Sequence, residues 1–144
     1  TPTPTPAPPP PPPPPPVAQT LPAVLAPPPA KRMKPFPVVR ISGVLTATGA
    51  RIKRLTVRAP KRARIRVTCS GKGCPKRGVT RKGRGKHVRI AALQRSLRAG
   101  AKLTITVSRT GYISKVTTIK IRKGKAPLRR DRCRAPGSKT LTRC

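Results

Sequence analysis

Four cysteines, one histidine and one carboxylate are the groups in this chain that could carry covalent, metal or proton-transfer chemistry, set among 35 lysines and arginines. Cys69 and Cys74 have four residues between them, and Cys133 and Cys144 have ten. Local pairing, Cys69–Cys74 and Cys133–Cys144, is the first choice among the three connectivities open to four cysteines. Each bridge would close a small loop and stabilise by about 2–3 kcal/mol through loop entropy. The rival is a four-cysteine zinc site, which wants two tight pairs, and the spacing of the second pair fits that poorly. Proton-transfer catalysis needs a tunable pair, and a hydrolytic triad needs a base with an orienting carboxylate. Here the one histidine is His87, at the start of an expected strand, and the one acid is Asp131, between Arg130 and Arg132. Nothing in the sequence places them together. Gly83-Arg84-Gly85-Lys86 is too short for a phosphate-binding loop and lacks the strand–loop–helix setting. The expectation is a protein that is not an enzyme, with no cofactor and no metal.

Charge is the remaining chemistry. The formal net charge is +34 over 144 residues. Repulsion on that scale opposes compaction and favours a polyanion as partner. The cations predicted to make contact are Arg62, Arg64, Arg66, Lys72, Lys76, Arg77, Arg81, Lys82, Arg84 and Lys86, from one strand face and the loop after it; residues 122–134 are cationic as well. Nucleic-acid readers of single strands stack bases on aromatic side chains. Phe36 and Tyr112 are the only aromatic residues, so nucleic-acid binding would be nonspecific and through the backbone alone. The competing reading is that the charge serves solubility.

The elements that must position these groups follow from periodicity. Ala63, Ile65, Val67 and Cys69 alternate with Arg62, Arg64, Arg66 and Thr68, the period of a strand with one apolar and one charged face. Further strands are read at 38–46, with Gly43 as a bulge, at 52–58, with a bulge near Lys53-Arg54, at 87–92, at 102–108 and at 112–122. The switch between Val116 and Ile119 predicts another bulge in the last. Residues 71–86 read as a basic glycine-rich loop, and 93–100 as a connection with one helical turn. Six or seven short strands with turns between them predict an all-β fold, a small immunoglobulin-like β-sandwich, with a small barrel as the alternative. Without tryptophan, the core must be Val, Ile, Leu and Ala.

Three regions are expected. Residues 1–36 are a proline-rich linker, disordered or an extended polyproline II rod, because residues 1–30 hold 16 of the 22 prolines and no charge. Within it, residues 17–26 are mildly apolar but too short to span a membrane, so no transmembrane segment is read. Residues 37–126 are the sandwich, and 127–144 a basic, cysteine-containing tail.

PVVRISG at 37–43, RIKRLTVRAP at 51–60, CSGKGCP at 69–75, LRAGAKLTITVSRTGYISK at 97–115 and IRKGKAPLRRDRC at 121–133 together resemble an uncharacterised basic β-domain. That domain recurs after proline-rich linkers in predicted secreted or envelope proteins of high-GC actinobacteria. The resemblance implies an extracytoplasmic sandwich-like module and supplies no activity. Paired cysteines point the same way, to an oxidising compartment. The expected location is extracellular or at the cell surface, with a signal or anchor upstream of Thr1. The expected function is a structural or binding module that presents a cationic surface to anionic cell-envelope polymers. The alternatives are a nonspecific nucleic-acid-binding basic protein and a passive spacer.

Overall fold

The structure is a computed structural model that describes residues 1–16 and 30–144; the apolar stretch read at 17–26 lies outside the described residues. Residues 1–16 are exposed throughout and belong to no helix or strand. From Lys31 onward the chain folds into nine strands: β1 (Val38–Thr46), β2 (Gly49–Arg58), β3 (Arg64–Ser70), β4 (Val79–Lys82), β5 (His87–Arg89), β6 (Ser96–Arg98), β7 (Lys102–Ser108), β8 (Ser114–Lys120) and β9 (Leu128–Arg134). One 3-10 turn, Ala91–Leu93, joins β5 to β6.

All strand pairs are antiparallel, in two sheets. One sheet has the order β1-β2-β5, with β6 beside β2, and the other the order β4-β3-β7-β8-β9. The fold is a small β-sandwich. Its core is aliphatic: Leu55 and Val57 from the first sheet meet Ile65, Val67, Leu103, Ile105, Val107 and Ile119 from the second, with Ile90, Leu93 and Leu97 closing one side.

The β1–β2 pairing carries the expected bulge. Ser42 pairs with Arg54 and Gly43 with Ile52, so Lys53 has no partner. Glycine is required at 43 because a Cβ there would run into the Arg51 carbonyl oxygen. Past the bulge, Leu55 and Val57 regain the inward parity that the core needs.

The structure departs from the sequence reading at four places. Val79–Lys82, read as loop, is the edge strand beside β3. Ser96–Arg98, read as a helical turn, is a strand on β2. Leu128–Arg134, read as a tail, is the edge strand beside β8. These three strands bury few side chains, so no apolar alternation announces them. The fourth departure is β8, whose pairing with β7 runs without a shift from Lys102↔Lys120 to Val107↔Lys115, so it holds no bulge. Its mixed pattern arises because both faces are covered: Thr117 and Ile119 face the core, and Val116 faces outward at only 7 % exposure.

The proline-rich region also ends earlier than position 36. Met33 is buried in the core, and the Ile113 amide donates to the Lys31 carbonyl at 2.8 Å.

Candidate functional site

Alternation in the five-stranded sheet sorts its residues onto two faces. The inner face of β3 carries Ile65 and Val67 and the outer face carries Arg64 and Arg66. Register extends that outer face across the sheet. One row runs Lys82, Arg64, Ser108; the next runs Thr80, Arg66, Thr106, Val116, Arg132; the next runs Thr68, Thr104, Thr118, Arg130. The last row holds Ser70, Lys102, Lys120 and Leu128. Ser114, on β8, pairs with Arg134 on β9.

The result is a floor of short hydroxyl side chains on β7 and β8, set around Val116 and closed at one end by Lys102 and Lys120, between two lines of cations. Arg64, Arg66 and Lys82 stand on one side, and Arg130, Arg132 and Arg134 on the other. Arg64, Arg66, Thr68, Thr106, Ser108 and Arg134 enclose an open depression of about 340 Å³. It continues, through Arg64 and Ser108, into a second depression of about 430 Å³ lined also by Arg62, Arg109 and Tyr112. Arg62 sits there in the turn before β3 with a φ of +70°. The Arg109 guanidinium lies 4.6 Å from the centre of the Tyr112 ring.

Like charges stand directly opposite each other on this face, at Arg64↔Lys82 and Lys102↔Lys120. Such pairs are destabilising. No carboxylate relieves them, because the single acid is engaged elsewhere. Asp131 points to the inner side of β9, where the Thr117 hydroxyl donates to it at 2.7 Å and Arg129 donates at 2.9 Å. Lys115 lies 3.7 Å from it. The same two cations reach across to the backbone before and within β1: Lys115 donates to the Pro37 carbonyl at 2.9 Å and Arg129 to the Val39 carbonyl at 2.8 Å. Partial burial of Asp131 opposes its ionisation. The bonds from Arg129 and Thr117 and the charges of Arg129 and Lys115 outweigh that and hold the carboxyl below its ordinary value of 3.8.

All ten cations singled out from the sequence are exposed, but the fold does not gather them into one site. Arg64, Arg66 and Lys82 share the outer face, and Arg62 lies at its end. Arg81 points to the opposite side of β4, with its guanidinium on the Thr80 carbonyl. Lys72 lies in the Cys69–Cys74 loop, where its carbonyl accepts from the Arg98 amide. Lys76 and Arg77 follow that loop. Arg84 and Lys86 lie in the turn between β4 and β5, pinned by amide bonds from Gly83 and Gly85 to Ala63 and Ala59. Lys102, Lys120, Arg130, Arg132 and Arg134 were not among the ten. The parity of Arg130, Arg132 and Arg134 was visible as a spacing of two, but without a neighbouring apolar stripe it did not identify a strand.

The cysteines form two disulfides, Cys69–Cys74 and Cys133–Cys144. The second folds the C-terminus back so that Thr142 exchanges two amide bonds with Cys133 on the free edge of β9. Among the described residues no cluster of three or more His, Cys, Asp or Glu is placed to hold a metal ion. His87 is on β5, in the sheet opposite Asp131. Among the described residues, no helix is long and apolar enough to cross a membrane. Comparison of the chain with protein-family models, curated proteins and solved structures returns no match.

Proposed function

We propose that this chain is a non-enzymatic, extracytoplasmic binding module whose five-stranded sheet presents its cationic outer face to anionic polymers of the cell envelope. The observation that supports this reading is the placement of Arg64, Arg66, Lys82, Lys102, Lys120, Arg130, Arg132 and Arg134 on one sheet face with no carboxylate among them. Like-charge neighbours cost stability, and an anionic chain laid over them removes that cost while releasing its own counterions. Guanidinium groups suit phosphate and carboxylate oxygens because they donate in a planar fork. The two disulfides fit an oxidising compartment outside the cytoplasm, where such polymers are found.

The test is retention on purified cell wall measured across a salt series. Affinity should fall steeply with salt. Replacing Arg64, Arg66, Arg130 and Arg132 together by glutamine should weaken retention at least roughly tenfold and flatten the salt slope. The same number of substitutions at Lys76, Arg77, Arg84 and Lys86 should do less. Retention that ignores salt, or that depends equally on both sets, would count against the outer face as the site.

A further inference from the structure

We propose that the outer face takes a single linear chain of a hydroxylated phosphodiester, a polyol phosphate, laid along the strands between the two lines of cations. This deepens the function proposed above and rests on it.

Charge alone would need no floor. Here the middle of the face, on β7 and β8, holds Thr104, Thr106, Ser108, Ser114 and Thr118 around a single apolar residue, Val116, with Lys102 and Lys120 closing one end. Among the described residues, the threonine hydroxyls with intramolecular partners are those of Thr117 and Thr142. Among the described residues, the hydroxyls of Thr104, Thr106 and Thr118 have none, so their donors and acceptors are free to meet a ligand. Thr106 lines the depression between Arg66 and Arg134, and Thr104 and Thr118 stand in the next cross-strand row of the same face.

The dimensions select the ligand. Three inter-strand steps separate β3 from β9, about 14 Å between backbones. Long arginine side chains on both sides narrow that to room for one chain. Along each side, same-face residues recur every two positions, roughly 6.7 Å. Arg64 and Arg66, and Arg130, Arg132 and Arg134, repeat the cation at that interval. A polymer with one phosphate per short polyol repeat places its charges against both lines and its hydroxyls over the floor. Single-stranded nucleic acid also repeats its phosphates, but its bases would meet no aromatic ring on the floor. A rigid duplex would touch the lines of cations and leave the floor empty.

The experiment measures binding by the full chain of poly(glycerol phosphate), inorganic polyphosphate and single-stranded DNA, matched in charge and at one salt concentration. The floor variant is T104V/T106V/T118V, which keeps shape and strand preference; T104S/T106S/T118S keeps the hydroxyls. The valine variant should lose roughly tenfold in affinity for poly(glycerol phosphate) and stay within about twofold for polyphosphate. The serine variant should retain poly(glycerol phosphate) binding. Equal losses on both polymers, or no loss on either, overturn the hydroxyl floor and leave the charge reading standing. Tighter binding of single-stranded DNA than of poly(glycerol phosphate) overturns the choice of ligand. Failure of the unsubstituted chain to bind any of the three polymers at low salt overturns the underlying function as well.

Discussion

Asp131 accepts hydrogen bonds from Thr117 and Arg129 and pairs with Lys115. It is the chain's one acid, and it neutralises part of the charge of Arg129 and Lys115 as those two tie β8 and β9 to the backbone before and within β1. The Lys115 side chain is only 11 % exposed, so removing its counter-charge leaves a cation with little water. Asp131→Asn should therefore destabilise by about 1–2 kcal/mol, at the lower end because the carboxylate is partly solvated and screened. The pH dependence has a definite sign. The folded carboxyl titrates below its unfolded value, so its contribution is complete above about pH 5 and disappears as pH falls through the folded value. Urea titrations of the native chain and the variant should differ at pH 6 and converge toward pH 2. A gap that stays constant over that range would remove ionisation from the explanation.

At the scale of elements, β9 is the informative strand. It supplies one line of cations, Arg130, Arg132 and Arg134, and it lies at the edge of its sheet. An exposed edge invites pairing with another chain. Thr142, held in place by the Cys133–Cys144 bridge, occupies part of that edge. Replacing both cysteines by serine should cost roughly 2–3 kcal/mol and speed amide exchange at positions 133 and 142, with β3 and β7 unaffected until global unfolding. Unchanged exchange at those two amides would mean that the loop holds without its bridge. β9 also shows why part of the site was illegible. β3, β7 and the inner half of β2 bury every second side chain, so their period was plain. β4 and β9 bury one side chain at most, and a strand that buries little leaves little pattern.

For the whole molecule, +34 charges on 144 residues make self-repulsion a standing load on the folded state. Raising salt shortens the range of that repulsion. The melting temperature should therefore rise by about 5 °C between low salt and half-molar salt, the reverse of what loss of the Asp131 pairs alone would give. A polyanion that docks on the outer face should raise it further at low salt. A melting temperature that falls with salt would show that a few internal pairs outweigh the net charge.

Composition and alternation alone gave an all-β fold with an aliphatic core, a sandwich as the first choice over a barrel, a bulge at Gly43 and near Lys53-Arg54, and local pairing as the first choice for the cysteines. Each of these is a short-range property: side chains two apart share a face, and cysteines close in sequence meet easily. Which cations share a surface was decided only by the tertiary structure. Arg64 and Arg132 are far apart in sequence and stand on one face because β7 and β8 lie between β3 and β9. Arg81 and Lys82 are neighbours and point to opposite sides of β4. Strand register is set by pairing across the sheet, and pairing depends on the partner strand, which spacing along one strand does not reveal.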